Sequence, residues 1–140
     1  MSAEKKQKIL LVDDEPEVLA TTKWAFETVG YQVFTAQSGE DAVKIIGESK
    51  PDLMLVDYKL PQMSGLDLIK MARSTDPNIT TIMITGLTHQ TEPVEAECAR
   101  NGTYAFLHKP LRMEEVLQVV KAALEQRARK PGTPPPSAAS

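Results

Sequence analysis

One hundred and forty residues, 41% hydrophobic and 25% charged, can fill one core and leave too little chain for a second domain. Sixteen Lys and Arg against nineteen Asp and Glu give a net charge of −3, without the basic excess expected of a protein that binds nucleic acid directly or coats an anionic membrane. A single cysteine, Cys98, excludes an internal disulfide and a cysteine zinc site.

The chain opens with Lys5, Lys6 and Lys8 before the apolar run Ile9–Val12. That run stops at Asp13-Asp14, too soon for a signal core or a membrane span, so a cytoplasmic protein is expected. Residues 1–7 are expected to be disordered, with the folded domain over 8–129. Ile9–Val12 reads as a strand. Pro16 then suits the first turn of a helix, where its missing N–H costs nothing. Val18, Leu19, Thr22, Ala25, Phe26 and Val29 share one helical face, and Gly30 ends the run.

Gln32–Ala36 is the second strand. Ser38 with Asp41 has capping-box spacing ahead of a second helix, and Ser64 with Asp67 repeats it ahead of a third. Between these lies the third strand, Leu53–Val56. Thr81–Ile84 and Tyr104–Leu107 are the fourth and fifth strands, separated by a helix over roughly 92–100 with a thin apolar stripe. The last helix carries Met113, Val116, Leu117, Val120, Ala123 and Leu124 on one stripe. From Lys130 the sequence KPGTPPPSAAS holds no large apolar residue and predicts a disordered tail or the start of a linker over 130–140.

Strand–helix alternation through five repeats implies right-handed crossovers onto a parallel sheet covered on both faces. In such an α/β fold the chemistry gathers at the carboxyl ends of the strands. Asp13 and Asp14 follow the first strand, Asp57 the third, Thr85 the fourth and Lys109 the fifth. N-capping of the first helix would account for Asp14 and could extend to Asp13, but not to Asp57, which precedes Tyr58-Lys59-Leu60-Pro61. Carboxylates sharing a crevice repel by roughly 4 kcal/mol per pair at ~4 Å and an effective dielectric near 20. A cation is therefore expected among them. Oxygen ligands in small number suit Mg²⁺, and three carboxylates, one Mg²⁺ and Lys109 sum to zero charge. A carboxylate so placed can accept a phosphoryl group.

Those residues carry a resemblance. ILLVDDEPEV, LMLVDYKLPQMSGLDLI, TIMITG and GTYAFLHKPL together resemble the receiver domain of two-component response regulators, over about Lys8 to Ala128. The resemblance implies a flavodoxin-like (βα)5 fold with strand order 2-1-3-4-5. It makes Asp57 the residue phosphorylated from a histidine of a sensor kinase or histidine phosphotransfer protein. Asp14 would bind Mg²⁺ directly, Asp13 through water, and Lys59 through its main-chain carbonyl. Lys109 and Thr85 would contact the phosphoryl oxygens, Phe106 would turn inward as Thr85 moves, and Lys109–Pro110 would be cis. Phosphorylation would change the surface offered to a downstream target, whose identity the sequence leaves unknown, and a phosphorylation-dependent homodimer stays open.

Departures from the family pattern are a slightly long stretch from Thr85 to Phe106 and Arg112 as a poor N-cap. Lys59 and Leu87, at positions that tune dephosphorylation in the family, offer no water-orienting group, so a long-lived acyl phosphate is expected. Trp24 lies off the apolar face of the first helix. With Glu17, Val18 and Thr21 it is expected to contribute to partner choice. His89 and His108 read as surface histidines. The loop Asp-Asp-Glu-Pro repels phosphate unless a metal intervenes, and neither GxGxxG nor GxxxxGK[ST] occurs, which excludes the nucleotide-binding relatives of this fold. An interaction module that works without phosphorylation remains the alternative, and it would have no need of all five site residues.

Overall fold

The computed structural model of the chain describes residues 6–86, 96–97 and 99–129. Its elements are β1 (Lys8–Val12), α1 (Pro16–Thr28), β2 (Gln32–Ala36), α2 (Gly39–Ser49), β3 (Leu53–Asp57), β4 (Lys59–Leu60), β5 (Met63–Ser64), α3 (Gly65–Thr75), β6 (Thr80–Thr85), β7 (Ala105–His108) and α4 (Met113–Arg129). Five strands form one parallel sheet in the order β2-β1-β3-β6-β7, which is the expected 2-1-3-4-5 arrangement. Strands β1, β3 and β6 are buried almost throughout, as an apolar run covered on both faces requires. The edge strand β2 has exposed positions between its buried ones.

Alternation along the strands builds two cores. Ile9, Leu11, Leu53, Leu55, Ile82 and Ile84 pack with Leu19 and Phe26 of α1 and Val116 and Val120 of α4. Leu10, Val12, Met54, Val56 and Met83 face the other way, onto Ala42 and Ile46 of α2 and Leu68, Ile69 and Ala72 of α3. This layering puts every strand's carboxyl end at the same edge of the sheet.

Local signals fix the helix ends. Helix α1 closes in a Schellman arrangement, with Gly30 N–H donating to Glu27 and Tyr31 N–H to Phe26, and Gly30 at φ 105°. The Phe26 and Tyr31 rings, 5.9 Å apart, supply the apolar contact of that motif. Ser38 accepts from the Asp41 amide, and Ser64 with Asp67 forms a complete capping box.

Three details correct the sequence reading. The N-cap of α1 is Glu15, without a side-chain capping bond, rather than Asp14. Val29, expected on the apolar face, is 56% exposed because it is the C-cap residue from which the chain turns away at Gly30. A short antiparallel hairpin, β4 with β5, follows β3 where no strand was expected. Residues 96–97 and 99–100 are helical, and the remainder of the helix expected over 92–100 lies outside the described residues. So do Leu87, His89, Cys98, residues 1–5 of the N-terminal segment and the 130–140 tail.

Candidate functional site

Strand register brings the polar residues together. Val12 pairs with Val56, so Asp13 and Asp57 both come one step past that rung. Asp57 pairs with Ile84, placing Thr85 one step beyond, and Thr85 pairs with His108, placing Lys109 one step beyond again. Three successive rungs thus deliver two acids, a hydroxyl and an ammonium to one edge. Asp13, Asp57 and Thr85 are 3%, 4% and 1% exposed. Asp14, on the loop, is exposed.

Lys109 Nζ donates to Asp57 Oδ2 at 2.7 Å and stands 3.8 Å from Asp13 Oδ2. Asp57 Oδ1 accepts the Lys59 amide at 3.1 Å, and Asp13 Oδ1 accepts the Glu15 amide at 2.9 Å. Each buried acid is therefore held by a main-chain amide two residues on, which fixes its rotamer and leaves its other oxygen facing the crevice. Tyr58 N–H donates to Ile84 and Gly65 N–H to Tyr58, which ties the acceptor loop to β6 and to the start of α3. A crevice beside Asp14, Asp57, Thr85 and Lys109 opens to solvent.

Charge in this crevice is unbalanced. Burial pushes the Asp13 carboxyl from 3.8 up to about 6; the Glu15 amide opposes this and the Asp57 charge adds to it. Burial works against the Lys109 ammonium, but its bond to Asp57 and the charges of Asp57, Asp13 and Glu15 outweigh that and raise its pKa. Asp13 Oδ2 is buried without a hydrogen-bond partner among the described residues, an orphaned acceptor beside two other carboxylates. Ligand oxygens of Asp13, Asp14 and Asp57 lie within 4.8 Å of one another. An all-oxygen donor set with an orphaned buried lone pair fits a small hard cation.

Phe106 is half-buried and packs on the core that faces α2 and α3. It pairs with Met83, two residues before Thr85 on the same side of β6. The Lys109–Pro110 peptide is cis. Glu17, Val18 and Thr21 line an apolar groove that runs to Pro110, Leu111 and Met113, so α1 and the segment after β7 form one surface beside Lys109. Trp24 does not line the groove, yet it is 71% exposed on the same helix. His108 is exposed at the sheet edge.

Gly65 was not singled out in the sequence. A Cβ there would lie 2.7 Å from the Asp57 carbonyl oxygen and 3.0 Å from Tyr58 Cα, so the bare backbone lets α3 seat against the acceptor loop. The available signal was a glycine just inside a capped helix, where it costs helix propensity.

The response regulator receiver domain family matches residues 9–121. The chain belongs to that family. It is 32% identical over 118 residues to sporulation initiation phosphotransferase F of Bacillus subtilis (strain 168), covering 84% of this chain and 94% of that protein. It is 31% identical over 124 residues to the transcriptional regulatory protein GlrR of Escherichia coli (strain K12), covering 89% of this chain and 28% of GlrR, so it spans under a third of that regulator. A CheY-like response regulator receiver domain protein from Methanospirillum hungatei JF-1 superposes with a TM-score of 0.83 at 29% identity, covering 90% of this chain and 99% of that one. The chain is a receiver domain of the two-component type, and the family's function is regulatory. Among the described residues no helix is long and apolar enough to cross a membrane.

Proposed function

We propose that Asp57 accepts a phosphoryl group from a phosphohistidine and that this modification switches the receiver's surface. The observation that carries the reading is the 2.7 Å bond from Lys109 to an Asp57 carboxylate held at the sheet's carboxyl edge among two further acids. Asp57 Oδ1 or Oδ2 forms the new O–P bond as the P–N bond to the donor imidazole breaks. The imidazole keeps that electron pair and takes a proton from water. The Lys59 amide holds the acceptor's orientation, and Lys109 exchanges its carboxylate contact for a phosphoryl oxygen, so its charge stays paired. Thr85 offers a hydroxyl one rung away.

Mg²⁺ would be held by Asp14, Asp57 and the Lys59 carbonyl, with Asp13 acting through water, and would neutralise charge on the incoming phosphoryl oxygens. Three carboxylates and one ammonium leave the protein's share at −2, which a divalent cation cancels. Phosphorylation would then bias two conformations through Thr85 and Phe106. With no evident water-orienting group at Lys59, autodephosphorylation is slow. The unphosphorylated-module reading is not favoured, because it gives no use to an orphaned buried carboxylate oxygen.

The donor is a sensor histidine kinase or a histidine phosphotransfer protein in the cytoplasm. It docks on the groove of Glu17, Val18 and Thr21 and extends to Trp24, which brings its histidine beside Lys109. A downstream target or a second phosphorylated copy would read the switched face. Intact mass after incubation with acetyl phosphate, with and without Mg²⁺, tests the reading: one Mg²⁺-dependent phosphoryl adduct is expected, absent in Asp57→Asn. An adduct that persists in Asp57→Asn would overturn it.

A further inference from the structure

Helix α3 touches the acceptor loop at one end and the stretch leading into β7 at the other. At its start, Gly65 N–H donates to Tyr58 O at 2.7 Å, and the helix backbone lies so close to the Asp57 carbonyl that no Cβ fits. At its far end the half-buried Arg73 donates through one nitrogen to Pro77 O at 3.0 Å and through another to Gly102 O at 2.7 Å. Gly102 has φ 87°, and a Cβ there would meet the Arg73 guanidinium at 2.9 Å. The guanidinium thus lies against a backbone position that favours glycine, both for its positive φ and for the space a Cβ would take. One turn earlier, Lys70 Nζ lies 3.7 Å from Glu97 Oε2. Glu97 O in turn accepts both the amide and the side-chain nitrogen of Asn101.

Among the described residues, this far junction has buried polar groups left unsatisfied. Burial lowers the Arg73 pKa, with Asp76 opposing it, and Arg73 Nε has no hydrogen-bond partner among the described residues. Thr81 and Thr103 hydroxyls are also buried without a partner, one near the start of β6 and one beside Gly102. Polar joins of this kind open at a fraction of the global unfolding free energy. Leu68, Ile69 and Ala72, between the two ends, are fully buried, which makes the span between them a closely packed, rigid element.

We propose that α3 is a strut that couples the main chain of Asp57 to the Gly102 end of the segment before β7, with Arg73 as its positioning residue. The proposal deepens the phosphoacceptor reading by adding a route from Asp57 that does not pass through Thr85. A change at Asp57 displaces the Gly65 end of α3 and alters how firmly Arg73 grips Gly102. By linkage, release of that grip alters the acceptor loop to the same degree.

The test is a mutant cycle that uses no phosphoryl donor, so it stands apart from any failure of phosphorylation. Amide hydrogen exchange is measured on a peptide spanning 99–104 in wild type, Asp57→Asn, Arg73→Ala and the double variant, with β1 and β3 peptides as fold controls. Arg73→Ala alone should raise exchange at 99–104 about tenfold, the value of roughly one charged hydrogen bond, with the controls unchanged. Asp57→Asn should shift exchange at 99–104 when Arg73 is present and leave it unmoved when Arg73 is absent. Arg73→Lys, which keeps the charge but not the two-carbonyl fork, should restore less than half of the shift. An equal shift with and without Arg73 would assign the coupling to the Thr85 route and overturn the proposal, as would no shift in either background. If Arg73→Ala disturbs the controls, the Arg73→Lys pair decides by the same criterion.

Discussion

Lys109 and Asp57, 52 residues apart in the chain, meet at 2.7 Å because the β3–β6 and β6–β7 registers each advance the strand end by one residue. The pair joins the two outer rungs of the site. It is also the contact that a phosphoryl group on Asp57 would have to replace.

Lys109→Met should therefore lower stability and uncouple the site together. The Asp57 side chain is 6% exposed and that of Lys109 33%, so the loss is smaller than for a fully buried pair, about 1–2 kcal/mol. Urea unfolding of the metal-free chain checks the magnitude. Phosphoryl uptake from acetyl phosphate should fall by at least about tenfold, since the incoming charge loses its ammonium partner.

Metal-free stability should rise on mild acidification, against the usual behaviour of a paired carboxylate. The Asp13 carboxyl ionises at about 6 in the fold and at 3.8 in the unfolded chain, so the fold binds this proton more tightly than the unfolded chain does. Its contribution is fully present below 3.8 and is lost as pH rises through about 6, amounting to roughly 3 kcal/mol at about 1.4 kcal/mol per pH unit. Urea midpoints between pH 7.5 and pH 5 should capture about 1.4 kcal/mol of it, the remainder developing only as pH falls toward 3.8. Asp13→Asn keeps an oxygen for the Glu15 amide and should abolish this component while stabilising the metal-free chain at neutral pH. A midpoint slope unchanged by the substitution would refute the assignment to Asp13.

Gly65→Ala and Gly39→Ala should differ sharply although both place a methyl group under 3 Å from a neighbour. At Gly65 the neighbours include the Asp57 carbonyl and Tyr58 Cα, which cannot yield without moving the acceptor loop. At Gly39 the neighbour is the Met63 thioether end, which can rotate away. A loss of about 2 kcal/mol with slowed phosphorylation is expected for Gly65→Ala, and a change within about 1 kcal/mol for Gly39→Ala. Parallel denaturation and intact-mass time courses separate them.

Trp24→Ala should leave the unfolding midpoint within about 0.5 kcal/mol, because the ring is 71% exposed. Phosphoryl transfer from the partner kinase should slow, while uptake from acetyl phosphate stays at the wild-type rate. Trp24 is the one tryptophan of the chain, so its fluorescence in a titration with the partner reports docking without a label.

Lys50→Gly should stabilise the fold by about 0.5–1 kcal/mol. Lys50 is the exposed C-cap of α2 at φ 50°, a left-handed conformation that a Cβ disfavours. Thermal unfolding at neutral pH checks it. The site should be unaffected, since Lys50 lies at the opposite edge of the sheet from Asp57.

The amino-acid order by itself determined the strands to within a residue or two at each end, because runs such as Leu53–Val56 and Thr81–Ile84 are apolar or β-branched on both faces and suit a strand covered on both sides. It also determined which residues stand at the strand ends, and hence the acids, hydroxyl and ammonium now found together. The β4–β5 hairpin was not legible, since two-residue strands carry no periodicity and depend on Lys59 meeting Ser64 across Pro61-Gln62. Capping of α1 by Glu15 rather than Asp14 was equally hidden, because Asp13 takes the Glu15 amide. Only the tertiary structure decided the 2.7 Å ion pair, the orphaned oxygen of Asp13 with its raised pKa, and the contacts of Gly65 and Arg73 through α3. Each of these is set by inter-strand register, burial and helix packing rather than by the residues' immediate neighbours in the chain. Local propensity carries no record of them.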